Sequence, residues 1–159
     1  MRVVVIYDTK FGNTESVAKA IARGLGTLGS VRVFSTAEPA PAFADRPDLL
    51  VIGGPTQSRG MSPTLRGLVE ALPQGLRGVT AATFDTRYRG PKLVMGSAAE
   101  AAAKVLLKTG SRLAAAPEGF YIGRGGPMDK QTLEPGELER AEVWARTVGT
   151  AVAKVGIGA

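Results

Sequence analysis

The residues best suited to chemistry form a polar loop directly after the first hydrophobic run of the chain. The loop reads Asp8-Thr9-Lys10-Phe11-Gly12-Asn13-Thr14, so hydroxyl groups flank a glycine at the start of a helical pattern. A phosphate there would receive backbone N–H groups, the positive end of the helix dipole and hydroxyl donors from Thr9 and Thr14. Gly12 permits a positive φ or a close backbone approach. A plain tight turn with Asn13 or Thr14 as the helix cap explains the same residues, and both interpretations stand.

Two further loops are placed to meet the first one. Residues 53–61 begin with Gly-Gly-Pro and follow a buried run, and residues 85–90 follow the next run along the chain. In a parallel sheet the carboxyl ends of the strands lie at one edge, and ligands bind there where the strand order reverses. The three loops therefore predict one binding site rather than three.

The elements that carry these loops alternate between strand and helix. Continuous aliphatic runs predict strands at 3–7, 31–34, 49–52 and 79–84, and a fifth strand in two parts, 113–116 and 120–122, broken at Pro117. Apolar residues three or four apart predict helices that begin after the first loop, at Ser62-Pro63, at Ser97 and near 134–137. Prolines in 35–47 leave little regular helix there.

This alternation predicts an α/β protein with a doubly wound parallel sheet. Because crossovers between parallel strands are right-handed, the helices must cover both faces of the sheet. No linker or internal repeat divides the sequence, so we expect one domain spanning residues 1–159.

The composition excludes several kinds of chemistry. The 159 residues include no cysteine and no histidine, so disulfides, thiolate nucleophiles and the usual zinc and haem ligands are missing. Any chemistry must come from carboxylates, hydroxyls, the backbone or a borrowed cofactor, and we expect no metal site and no catalytic residue. No apolar run approaches the roughly 20 residues of a membrane span, so we expect a cytoplasmic protein without membrane contact.

Several motifs resemble those of the flavodoxin family. The run from Tyr7 to Glu15 is similar to the flavodoxin phosphate loop, T-x-x-G-N-T, and Gly-Gly-Pro-Thr follows the third strand. The sequences at 84–87, 96–99 and 136–141 resemble stretches of bacterial flavodoxin-like proteins, and the resemblance covers essentially the whole chain. It implies a short-chain flavodoxin fold with strand order 2-1-3-4-5 and FMN as the cofactor. The motifs of P-loop and dinucleotide-binding proteins are missing from the corresponding positions.

The resemblance implies that all three loops hold FMN. The expected cofactor-binding residues are Thr9, Lys10, Phe11, Gly12, Asn13, Thr14, Pro55, Thr56, Gln57, Arg59, Gly60, Met61, Asp85, Thr86, Arg87 and Tyr88. Tyr88 is the stacking candidate because it is the sole aromatic residue of the second and third loops, and an ordinary exposed tyrosine is the alternative. Many flavodoxins have an aromatic residue in the second loop. Here Met61 or the Arg59 guanidinium would have to cover the ring, with Gly60 as a hinge.

Charge distinguishes this sequence from acidic flavodoxins. Its net charge is +6, and residues 54–90 carry Arg59, Arg66, Arg77, Arg87 and Arg89 against Glu70 and Asp85. We expect a basic docking rim, redox partners with an acidic surface and a monomeric protein, whereas plain solubilising arginines are the alternative. Arginines near the ring would stabilise the negative charge of reduced flavin, and Asp85 would oppose them. No cluster of basic and aromatic residues points to nucleic acid.

Three functions follow from these residues. The first is an electron carrier that holds FMN and shuttles electrons between redox proteins. The second is a small FMN-dependent oxidoreductase acting on quinones or porphyrinogens, for which the sequence shows no inserted substrate loop. The third is a flavin-free binding module, which the missing aromatic residue in the second loop leaves open.

Overall fold

The computed structural model describes residues 1–38, 43–124 and 130–157. Its strands are β1 (Arg2–Tyr7), β2 (Ser30–Ser35), β3 (Leu49–Gln57), β4 (Gly60–Met61), β5 (Thr80–Tyr88), β6 (Arg112–Leu113), β7 (Glu118–Arg124) and β8 (Gln131–Leu133). Its helices are α1 (Asn13–Leu25), α2 (Pro63–Glu70), α3 (Lys92–Met95), α4 (Ala98–Lys108) and α5 (Glu137–Ile157). Part of the predicted proline-containing stretch, residues 39–42, lies outside the described residues.

Five parallel strands form the body of the sheet in the order β2-β1-β3-β5-β7. This order confirms the predicted 2-1-3-4-5 arrangement, with β5 and β7 as the fourth and fifth strands. Two short antiparallel strands were not predicted: β4 pairs with the end of β3, and β8 pairs with β7 at the sheet edge. The short β6 pairs with the start of β5, so the predicted break before the main part of the fifth strand is present.

The predicted ends of two strands were wrong. β3 runs on to Gln57 and β5 runs on to Tyr88, although the hydrophobic runs end at residues 52 and 84. Residues 85–88 are therefore strand and not loop. Pairing with neighbouring strands on both sides holds this polar segment extended, and a hydrophobic pattern cannot show such pairing.

The apolar residues of β1 alternate between two cores. Val3 and Val5 pack on the side of α1 and α5, whereas Val4 and Ile6 pack on the side of α2 and α4. Both faces of the strand are thus buried, which explains its continuous β-branched sequence. Among the described residues, no helix combines the length and the apolar character that a membrane span requires.

The helix starts confirm two of the predicted caps. The Ser62 hydroxyl accepts a hydrogen bond from the Leu65 N–H at 3.1 Å, and the Ser97 hydroxyl accepts one from the Glu100 N–H at 3.1 Å. The alternative interpretation of the first loop, with Asn13 or Thr14 as the cap of α1, was wrong. Asn13 and Thr14 lie inside its first turn, and the N-cap is Gly12, which has a φ of 89° and no side-chain cap.

Helices α1 and α5 pack closely because α1 has a glycine at their contact. A methyl group on Gly24 would lie 2.6 Å from the Glu142 carbonyl oxygen and 2.7 Å from Cβ of Ala145. Neither neighbour can move without a shift of α5. The glycine therefore sets the distance between the two helices.

We expect Gly24→Ala to destabilise the protein by about 1–3 kcal/mol, the usual cost of overpacking, despite the better helix propensity of alanine. Gly67→Ala in α2 is the matched control, because no atom lies within 4 Å of the new methyl group. The control should be neutral or stabilising by up to about 1 kcal/mol. Urea unfolding followed by circular dichroism measures both, and equal stability of the two variants would contradict the packing argument.

Candidate functional site

The first polar loop surrounds an amide cluster at the start of α1. The Thr9 hydroxyl oxygen accepts a hydrogen bond from the Gly12 N–H at 3.0 Å, which holds the loop closed and leaves the Thr9 O–H able to donate. The first intrahelical bond runs from the Ser16 N–H to the Gly12 carbonyl. The amides of residues 13–15 precede it and have no acceptor within the helix. Unpaired amides of this kind make a helix terminus suited to an anion.

Two further contacts fix this loop against its neighbours. The Thr14 and Thr86 hydroxyl oxygens lie 2.8 Å apart in a buried contact that joins α1 to β5. One hydroxyl must donate to the other, so the pair retains one hydrogen for a ligand. The Asn13 side chain donates to the Gln131 carbonyl of β8 at 3.0 Å.

The second loop is a tight hairpin between β3 and β4. Its two turn residues, Ser58 and Arg59, have φ values of 46° and 69°, a left-handed conformation that usually requires asparagine or glycine. The Arg59 guanidinium donates to the Leu93 carbonyl at 2.6 Å, and Gly96 packs against the Arg59 backbone so closely that a Cβ would overlap it. Contacts with the segment around α3 thus hold the turn.

The start of α4 is satisfied by side chains, in contrast to α1. The Ala98 N–H donates to the Thr56 hydroxyl at 2.9 Å, the Ala99 N–H to the Asp85 carboxylate at 3.0 Å, and the Glu100 N–H to Ser97. The first three amides of α4 therefore all have protein acceptors. At the same edge of the sheet, α1 has no side-chain cap among the described residues.

Asp85 belongs to a buried ionic cluster behind the cleft. Its carboxylate is fully buried, pairs with the Arg87 guanidinium at 2.7 Å and accepts a hydrogen bond from the Ser97 hydroxyl at 2.6 Å. Arg87 is 6% exposed and lies across Gly119 of β7, where a Cβ would overlap the guanidinium. Burial raises the pKa of Asp85 above its ordinary value, although Ser97, the Ala99 N–H and Arg87 act against this shift.

A cleft opens between the carboxyl ends of β1, β3 and β5. Eleven of the sixteen predicted cofactor-binding residues line it: Thr9, Lys10, Phe11, Asn13, Thr14, Pro55, Thr56, Gln57, Thr86, Arg87 and Tyr88. Two aromatic side chains stand at the cleft, Tyr88, which is half-buried, and Phe11, which is 63% exposed. The structure thus brings residues from all three polar segments together.

The other five predicted residues do not line the cleft. Gly12 and Gly60 contribute backbone to the two turns, and the Arg59 side chain is directed to α3. Met61 is 5% exposed and packs in the core beside α2, so it offers no cover for a ligand in the cleft. Asp85 lies beneath the cleft wall as the partner of Arg87.

Two cleft residues were missed by the sequence analysis. Ile122 lies on β7 beside Tyr88. The expectation that ligands bind at the carboxyl ends of parallel strands, which selected the three loops, applies equally to β7. Gln131 belongs to β8, a three-residue strand whose sequence has no hydrophobic pattern long enough to detect. No group of potential metal ligands occurs in the described part of the chain.

The Asp85–Arg87 pair predicts a strongly non-additive double-mutant cycle. Asp85→Ala leaves a buried guanidinium without its counter-ion, which costs about 3–5 kcal/mol of unfolding free energy. Arg87→Met with Asp85→Ala removes both charges, so most of that stability should return. Urea unfolding monitored through Trp144 fluorescence tests this expectation, and additive losses in the double variant would contradict it.

The arrangement matches a known family. The sequence profile of the flavodoxin family matches residues 5–144. A search of curated proteins found no match.

Solved structures share the fold at low sequence identity. A flavodoxin from the domain Archaea has a TM-score of 0.77 and 17% identity, over 96% of this chain and 99% of that one. A short-chain flavodoxin associated with a non-canonical PDU bacterial microcompartment has a TM-score of 0.70 and 20% identity, over 96% and 99% of the two chains. Rubredoxin:oxygen oxidoreductase from Desulfovibrio gigas has a TM-score of 0.73 and 19% identity, over 96% of this chain and 36% of that one.

The profile match spans most of the chain, and the fold agrees with it from the first strand to the last helix. The chain belongs to the flavodoxin family.

Proposed function

We propose that this protein is an electron carrier that holds FMN non-covalently in the cleft. The observation that carries the proposal is the set of first-turn amides of α1, which begin beside the cleft and have no side-chain cap, while those of α4 are fully paired. When bound, FMN would supply the redox chemistry, since its ring accepts and releases electrons. The protein residues would bind and orient it.

The residues of the cleft fit the two ends of FMN. A Cβ built on Gly12 meets no atom within 4 Å, so a phosphate can approach the loop backbone there. Thr9 and the Thr14–Thr86 pair add hydroxyl donors, and Lys10 adds a positive charge. The flat ring would lie beyond them, between the ends of β3 and β5, against Tyr88 and Pro55.

The shape of the cleft favours a carrier over an enzyme with an enclosed substrate site. Its volume is about 130 Å³, below the roughly 300–1,000 Å³ of pockets that bury a small molecule. A ligand as large as FMN would therefore keep part of its ring at the surface. An exposed ring edge allows direct electron exchange with a partner protein.

The charges around the cleft favour an acidic partner. Lys10 and Arg59 are exposed there, whereas Arg89 pairs with Glu134 and Lys92 with Glu100. One arginine of the predicted rim is elsewhere: Arg77 precedes β5 and lies at the opposite edge of the sheet. The remaining positive charge would attract an acidic surface on a redox partner, with association that weakens as salt rises.

Thr9→Val tests the phosphate site. The variant loses the hydroxyl donor and the acceptor of the Gly12 N–H, so FMN affinity should fall about 10- to 100-fold, the loss expected for one hydrogen bond to a charged group. Riboflavin lacks the phosphate, so its affinity should not change. Quenching of flavin fluorescence on titration with the purified protein measures both constants.

Two control variants complete this test. Thr64→Val, an exposed residue of α2, should leave both affinities unchanged. Tyr88→Leu should weaken FMN and riboflavin equally, because the ring is common to both. Failure of the wild-type protein to bind FMN would overturn the proposed function, and equal losses for the two flavins in Thr9→Val would overturn the placement of the phosphate.

Small redox ions test the charge of the rim. We expect the FMN-loaded, reduced protein to transfer electrons to anionic ferricyanide more slowly as NaCl rises, and to cationic hexaamminecobalt(III) faster, because salt screens the positive field. Arg59→Glu should weaken the salt dependence with ferricyanide. Arg77→Glu changes the net charge equally but far from the cleft, so its effect should be smaller. Stopped-flow mixing measures these rates, and equal effects of both substitutions would argue against a local basic rim.

A further inference from the structure

The buried Asp85–Arg87–Ser97 cluster lies directly behind the cleft. Arg87 lines the cleft, whereas Asp85 lies behind it and touches no part of it. A structural ion pair at the surface would be weak and replaceable, but this pair is nine-tenths or more buried on both sides. The cluster therefore places an ionisable carboxyl group one side chain away from the cleft.

The surroundings leave Arg87 as the main charge acting on Asp85. β3 carries no charged residue, and β7 contributes Glu118, which pairs with Arg140 of α5, and Arg124 at its other end. From α4 the charged residues are Glu100, which pairs with Lys92, and the exposed lysines 104 and 108. A change in the charge of the cleft would reach Asp85 chiefly through Arg87.

The hydrogen bonds decide where a proton could sit on Asp85. Oδ2 accepts from both the Ser97 hydroxyl and the Ala99 N–H, so its acceptor positions are occupied. Oδ1 accepts from Nη1 of Arg87. Oδ1 keeps an acceptor position for a proton, and protonation there removes the negative charge that compensates the Arg87 guanidinium.

We propose that Asp85 takes up a proton from solvent when an electron is delivered to flavin in the cleft, and that Arg87, released from its counter-ion, then balances the added negative charge. The electron comes from the redox partner and the proton adds to Oδ1, so one negative charge enters the cleft and one is removed behind it. Both groups are positioning residues. This inference depends on the proposed FMN site.

Burial prepares Asp85 for this exchange. The pKa of the carboxyl group is already raised by desolvation, and a negative charge near Arg87 would raise it further. Asp85 would thus have one pKa with oxidised flavin in the cleft and a higher pKa with reduced flavin. At pH values between these two, reduction would be coupled to uptake of one proton. The reduction potential should then fall as pH rises through that window and level off on either side.

Reduced-minus-oxidised infrared difference spectra of the FMN-loaded wild-type protein test the proposal directly. We expect a band of a protonated carboxyl group to appear on reduction within the pH window. Asp85→Asn should lack the band. Glu100→Gln is the matched control, because it removes a neighbouring carboxylate that does not contact Asp85, and it should retain the band.

The pH dependence of the potential provides the second measurement. Asp85→Asn should lose the proton-coupled part of the curve that Glu100→Gln retains. Should Asp85→Asn fail to fold, the wild-type infrared spectrum and a ¹³C NMR titration of the Asp85 carboxyl group in flavin-free protein remain decisive.

The outcomes separate the two proposals. Normal FMN uptake and reduction without the carboxyl band overturns the role of Asp85 and leaves the electron carrier intact. Absence of flavin uptake in the absorbance spectrum overturns both. A band that persists in Asp85→Asn assigns the proton to another group and also overturns this inference.

Discussion

The site depends on how two helices at the same sheet edge satisfy their first amides. A helix begins with N–H groups that have no partner inside the helix, and their burial without acceptors is costly. At α4, Thr56, Asp85 and Ser97 supply three acceptors from three different segments. At α1, a glycine N-cap leaves the first-turn amides without a side-chain cap, and Asn13 and Thr14 line the cleft. The fully paired helix holds the walls together, and the uncapped one belongs to the proposed binding site.

Each acceptor of α4 also holds a second element in place. Thr56 lies near the end of β3, Asp85 lies on β5, and Ser97 ties the start of α4 to β5 through its contacts with Asp85 and Arg87. The buried Asp85–Arg87 pair also holds a further element in place. Because Arg87 lies across Gly119, β7 must approach without a side chain at that position, which ties the register of β7 to the cleft wall. Stability and site geometry thus share the same residues.

Much of the fold follows from local rules. The runs of β-branched residues identified the strands, and Ser62 and Ser97 marked two helix starts, because capping depends on one side chain and an amide three residues away. Resemblance supplied the strand order, and the rule that ligands bind at the carboxyl ends of parallel strands selected the three loops. The strand ends and the short edge strands could not be predicted in this way, since their residues are polar and are held extended by partners distant in sequence.

The sequence by itself determined the class of fold and the lack of histidine and cysteine chemistry, and it predicted the first loop as a phosphate site, because each depends on residue type and short-range spacing. Only the tertiary structure decided which predicted residues share the cleft. It placed Met61 in the core, moved Asp85 behind the wall and paired it with Arg87, and brought Ile122 and Gln131 into the site. Side-chain direction at a strand end depends on pleat, register and packing of neighbouring elements, and these are properties of the assembled sheet.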